Sequence, residues 1–215
     1  DLSTYLGSGA TKLDDLSDAK SGGTNFTRSL LIGPESTATL SADAQNNTGI
    51  GINALDAMTG SGHNNVAVGY SALTALTSGG DNIAVGVEAL ATITDGTKNV
   101  AIGHFALKYN TANNGVALGY KALTANTDGL NNTALGSNAL ASNTTGDHNL
   151  AIGFWALDAA DEENHNLAIG THALGGAIDG GEYNVAIGNY SLDANTSGAY
   201  NTAIGYDALT ANTTG

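Results

Sequence analysis

The residues with the most obvious chemistry are histidines and carboxylates that recur one sequence period apart. His148 and His165 hold equivalent positions, with Asp147, Asp161, Glu162 and Glu163 close by in sequence. Imidazole and carboxylate donors in that combination are what a transition-metal site would use. Elsewhere the same position holds Asn64, Asp81, Lys98, Asn131 and Tyr183, so it is read as a variable, solvated column with no metal. Asp158, Asp161, Glu162 and Glu163 form the strongest local acidic cluster, and carboxylates of this kind suit Ca²⁺. The chain lacks the Gly-Gly-x-Gly-x-Asp repeat of calcium-binding β-rolls, and the run is read as a solvated loop. Ser, His and Asp are scattered, with no Gly-x-Ser-x-Gly elbow, phosphate loop or metalloprotease helix. The expectation is no catalytic residue, no metal, no cofactor and no enzymatic activity.

Aromatic residues form a second group: Tyr70, Phe105, Tyr120, Phe154, Trp155, Tyr190 and Tyr206. Phe154 and Trp155 are the densest pair. Exposed rings of this kind stack on sugars, which makes Phe154, Trp155, Phe105 and Tyr190 candidate receptor or glycan contacts. The preferred reading is that these rings fill grooves between protomers, where an apolar body with a polar tip is favoured.

The elements that must position these groups follow from one recurring phrase, Asn-x-Ala-Ile-Gly, then two variable residues, then Ala-Leu. Its anchoring glycines run from Gly51 through Gly69, Gly103 and Gly136 to Gly205, spaced by 16 to 18 residues. A fixed short period means stacked repeats rather than a globular core. Counting the glycine as position 0, position −1 is always Val, Ile or Leu, and position −3 is mostly aliphatic. Side chains alternate along a strand, so these two share a face. That face is expected to point into the core. Position −2 is Ala in every repeat but one, as at Ala134, and is expected to face another backbone through lateral self-association.

Position −4 is Asn in nine of ten repeats, including Asn65, Asn99, Asn132 and Asn201. Asparagine suits a corner, and stacked asparagines bond to one another as a ladder. The glycine is read as a bend where a Cβ would clash. Position +4 is Leu throughout, as at Leu73, Leu107, Leu140 and Leu209, and is the second core plug. A Thr-x-Gly at +8 to +10 supplies turn chemistry in six repeats. The spacing leaves open whether the Ala-Leu segment is extended or one helical turn. The fold expected is an all-β parallel β-solenoid with coils of about 17 residues. Ten coils at the inter-strand spacing of about 4.8 Å make a rod on the order of 50 Å long.

Composition fits an extracellular rod. The chain has 30 Gly, one Pro, no Cys and a net charge of −14, with only six Lys and Arg. That charge argues against nucleic acid or an anionic membrane as partner. No apolar run is long enough to span a bilayer as a helix. Residues 1–29 lack the repeat and are read as an acidic adaptor and linker; residues 30–215 form the solenoid, with Leu30 to Gly33 a degenerate first coil. The start without Met and the stop at Thr213-Thr214-Gly215 without a cap are read as marks of a piece of a longer chain. An ice-binding solenoid is a lower alternative, since the threonine column is single and broken.

The repeated phrase resembles the head repeats of YadA-type trimeric autotransporter adhesins. Its longer form, at residues 201–215, is similar to repeats in bacteriophage tail fibres, as is Leu13-Asp14-Asp15-Leu16-Ser17-Asp18. The resemblance implies a left-handed, β-roll-like homotrimer on a virion tail fibre, acting as a shaft in host attachment. It implies a host-surface receptor or glycan, and a neighbouring fibre or baseplate protein met through the N-terminal segment. The alternative is the head of a bacterial surface adhesin.

Overall fold

The computed structural model describes residues 19–21, 29–33, 43–176 and 178–214. Each repeat contributes one three-residue strand, and the strands stack in chain order into a single sheet of twelve. β1 (Ala19–Ser21) lies antiparallel to β2 (Leu30–Ile32). From β2 onward every pairing is parallel and in register, through β3 (Thr48–Ile50) to β12 (Thr202–Ile204). The protein is therefore an all-β solenoid of about ten turns, with no helix among the described residues. No helix of those residues is long and apolar enough to cross a membrane. β1 falls inside the stretch read from sequence as linker; residues 1–18 and 22–28 of that stretch lie outside the described residues.

The sheet face is the reverse of the sequence expectation. The alanines at −2, from Ala67 through Ala134 to Ala186, are fully buried inside the coil. The aliphatic residues at −3 and −1 point outward; Ile50, Ile83, Ile102 and Leu118 are each 38–40% exposed. The reason is the width of the coil. Gly49 holds the −2 position of its strand, and a Cβ there would lie 3.0 Å from Leu31 Cδ2 of the neighbouring strand, 3.3 Å from Ala54 O and 3.4 Å from Leu55 Cδ1 on the opposite wall. Between alanine neighbours a methyl fills that gap, and a larger side chain would overpack it; Leu31 fits at the same position of β2 only because the next strand carries Gly49 there. The alanine column is thus the floor on which the leucines sit, and not a surface for a second chain.

The Leu column is the core, with Leu73, Leu107 and Leu140 fully buried. Leu209, in the last coil, is 50% exposed because no further described coil covers it. The Ala-Leu segment is neither strand nor helix. It is a chain of tight turns in which the leucine itself is left-handed, with φ of +51° at Leu73 and +52° at Leu140. The residue at +2 is left-handed too, as at Trp155 (φ +56°). The backbone N–H of Leu73 donates to Ala89 O of the next coil, so the strained conformation is held by stacking. A bulky residue held there costs on the order of 1–3 kcal/mol, offset by burial of the side chain. At the bend, Gly103 has φ +143°, and a Cβ on it would collide with the carbonyl of Gly119.

Two internal ladders stitch the coils. In the first, Asn65 Nδ2 donates to Gly79 O (2.9 Å) while its Oδ1 accepts from the backbone N–H of Asn82 (3.0 Å). The same pattern links Asn82 to Asn99, Asn132 to Asn149 and Asn184 to Asn201. The second ladder, at +7, was not foreseen. Asn126 Nδ2 donates to Asn110 Oδ1 (2.6 Å), and Asn143 Nδ2 to Asn126 Oδ1 (2.7 Å). Asn195 and Asn212 hold the same position in the last two coils, whereas in the first three it is apolar, as at Met58, Leu76 and Ile93. Because the occupant changes from coil to coil, no conserved column advertises it in the sequence.

Candidate interaction surface

Three groups of side chains merit a functional reading: the outward strand face, the aromatic columns beside it, and the acidic turn. The strand face spans every coil. Its twenty −3 and −1 positions between Thr48 and Ile204 carry no charge, on a chain whose net charge is −14. Parallel pairing brings like residues together: Ile169 over Ile152, Val185 over Leu167. The result is a flat aliphatic strip along the rod, open on one side.

Rings line both margins of that strip in the C-terminal coils. On the −5 margin, His148, His165, Tyr183 and Tyr200 form an unbroken stack. Successive centroids are 4.9, 4.8 and 5.1 Å apart, with interplanar angles of 13°, 10° and 2°. That spacing is the coil repeat, so the stack is imposed by the backbone. On the other margin, at +1 and +2, Trp155 meets Phe154 (5.7 Å) and His172 (5.5 Å), and His172 stacks on Tyr190 at 5.5 Å and 8°. Phe154 is 49% exposed and Trp155 39%. Further back along the same margin, Phe105 lies under Lys108 Nζ at 4.6 Å, and that ammonium pairs with Glu88 at 2.6 Å. The hydrogen bond from Lys108 to Glu88 raises the lysine pKa. Of the proposed receptor contacts, Phe154, Trp155 and Tyr190 are thus brought into one row, while Phe105 stands three coils away.

His148 and His165 do come together, but face to face. His148 Nε2 is engaged by Asn131 Nδ2 at 3.2 Å. Among the described residues no group of three or more His, Asp or Glu side chains is arranged to hold a metal. The acidic run forms the wall of an open cleft of about 380 Å³ lined by Asp161, Glu162, Glu163, Asp179 and Glu182. Glu163 is not solvated there. Its Oε2 accepts from the N–H groups of Asp161 (2.9 Å) and Glu162 (3.2 Å), and its Oε1 from Gly180 (3.1 Å). The neighbouring +7 residue is Ala160, where the preceding coil carries Asn143, and this leaves room for its side chain. In the preceding coil, a Cβ on Gly146 would run into the carbonyl oxygen of Glu163 and into Asn143 Oδ1. Ala160 with Glu163 therefore replaces the Asn and Gly pair of the standard turn.

The threonine column is also occupied. Thr111, Thr127 and Thr196 each donate a hydroxyl to the carbonyl of the following coil, at 2.8, 3.1 and 2.8 Å. These hydroxyls bond along the rod axis, between coils. Asp158, at position +5, has its pKa raised chiefly by burial, with the nearby Asp193 adding to it. Its Oδ1 is buried without a partner. A Cβ on Gly175 would lie 3.3 Å from that oxygen and 3.2 Å from Asp193 Oδ1, so the two carboxyls share the gap the glycine leaves.

Comparison with protein-family models, curated proteins and solved structures found no match to this chain.

Proposed function

We propose that the chain is a shaft segment of a viral tail fibre, a homotrimer whose three rods meet along the outward aliphatic strip. The observation that carries this is the strip itself. A strongly acidic rod leaves one full-length face uncharged and aliphatic, where a monomer would gain by making it polar. Equal chains repel through their charge, so they meet on the surface without it. A strip about ten coils long and three residues, roughly 10 Å, wide covers about 500 Å², and the ring-bearing margins beside it extend the contact towards the 800 Å² per partner of a standard interface. The resemblance to fibre and adhesin repeats supplies the biological side: the shaft holds repeated weak contacts towards a host-surface glycan, and avidity multiplies them. In this reading the chain is structural and carries no catalysis.

Light scattering behind a sizing column tests the assembly. Three times the 21.4 kDa chain mass is expected. A monomer at micromolar concentration overturns it. Binding of the labelled chain to immobilised bacterial surface polysaccharides tests attachment. Retention that disappears when the rods are dissociated is expected, and retention by single rods of equal strength overturns the role of avidity.

A further inference from the structure

Resting on the trimeric reading, we infer that each rod contacts its neighbour unlike-to-like. The −5 margin of one copy lies against the +1/+2 margin of the next at the same coil level, and aromatic rings zip this seam in the last four coils. The first support is coincidence of level. His148 and Trp155 belong to one coil, His165 and His172 to the next, Tyr183 and Tyr190 to the third, Tyr200 and Tyr206 to the fourth. Rings thus occupy both margins of the same four coils. In the sixth coil both margins are polar, with Asn131 on one side and Asn138 on the other. Within one chain the two margins make no ring contact with each other; each stacks only along itself.

The second support is exposure. Stacking covers the two faces of each ring but leaves the outer edges free. Tyr183 is 43% exposed, Tyr190 38% and Tyr200 77%. Rings packed this densely at a surface mark a contact, and edge-to-face meeting of two such rows is favourable. The third support is symmetry. A rotation about an axis parallel to the rod keeps every coil at its own level and sets one margin against the other. A two-fold axis across the rod would instead place Tyr200 and Tyr206 opposite Asn46 and Asn53 of the first coil. It would leave the rings facing amides. The same levelling puts Lys98 of one copy against Phe105 of the next, a cation over a ring.

The chain has no cysteine, so engineered thiols report contacts cleanly. The test uses Asn131→Cys with Asn138→Cys, which removes no ring, treated with a short bis-maleimide. Covalent trimers are expected from the double variant, and only monomers from either single variant. Cross-linking in a single variant, with oligomeric mass retained, overturns the seam while leaving the shaft reading intact. So does an oligomer whose double variant gives no covalent trimer. A monomer by light scattering overturns both readings together. The ring content is tested by His148→Ser. It touches no ring on the Trp155 margin of its own chain, yet is expected to red-shift emission from Trp155, the single tryptophan. Unchanged emission in an intact trimer overturns the zipper.

Discussion

Asn65 gives one side-chain oxygen to both nitrogens of Asn82, the backbone N–H at 3.0 Å and the side-chain amide at 3.1 Å. Each ladder asparagine thereby terminates the coil before it and starts the one after. Replacing Asn82 with Ala strands the N–H of Asn99 and the carbonyl of Gly96 in a dry interior. Each orphaned group costs about 1–3 kcal/mol. Asn82→Ala is expected to lower the unfolding free energy by roughly 2–5 kcal/mol in a denaturant titration, and a loss under 1 kcal/mol would mean the ladder is ornamental.

The ladder has one gap. Gly115 donates its N–H to Asn99 Oδ1 (2.8 Å) but has no side chain to pass on to Asn132. A Cβ there would meet Asn99 Oδ1 at 3.2 Å and the Leu107 methyls at 3.3 Å, contacts a flexible leucine can relieve. Gly115→Asn is expected to raise stability by about 1 kcal/mol through the restored bond. A fall in melting temperature would show that the 16-residue coil is too tight to accept it.

The two faces of the strand predict different failures. Ala134→Leu overpacks the floor against the leucine column, with a penalty of about 1–3 kcal/mol or more in the single chain. Ile102→Asp is expected to leave the coil folded by circular dichroism while dissociating the oligomer. Loss of assembly from Ala134→Leu without loss of stability would restore the opposite assignment of faces.

Asp158 gives a pH dependence. Burial raises its carboxyl pKa above the ordinary value near 3.9. The folded state therefore holds its proton to higher pH than the unfolded chain does. Stability from this group is full below the unfolded value and is lost as pH rises through the raised, folded one. Asp158→Asn is expected to raise the melting temperature at pH 7 and to leave it unchanged near pH 3. An equal gain at both would place the effect elsewhere.

Glu163 replaces a turn glycine by capturing three N–H groups. Glu163→Ala should expose the amides of Asp161, Glu162 and Gly180 to faster hydrogen exchange. The pair Ala160→Asn with Glu163→Gly is expected to recover stability, because it rebuilds the turn of the preceding coil and gives the buried Asn143 Oδ1 a donor. A double variant weaker than Glu163→Ala alone would refute that exchange.

Most of the fold was legible because the repeat reports the same position ten times. The glycine bend, the leucine plug and the asparagine ladder each need one residue type, so they appear as columns that are invariant or, at Gly115 alone, broken once. Which strand face is inside was not legible. Alternation separates Ala134 from Leu135 and Thr133 but does not say which points inward, and hydrophobicity favoured the larger side chains. Coil width decides it, and width is set by the distance from Leu55 Cδ1 to the opposite wall. The left-handed leucines were hidden as well, because φ is imposed there by stacking against the side chain's own preference. The Glu163 turn was read as a charge run, since its three N–H partners are spread over two coils.

The bonds between coils, such as Leu73 N–H to Ala89 O, run along the rod rather than around it. A tensile load applied at the two ends of one chain therefore meets these bonds head-on, one layer at a time, in the manner of a zip fastener. Each layer that yields releases about 17 residues of slack, close to 60 Å of contour at roughly 3.5 Å per residue. A single rod under tension should lengthen in even increments, at forces that stay nearly level from layer to layer. Such a material gives way gradually and dissipates work instead of snapping.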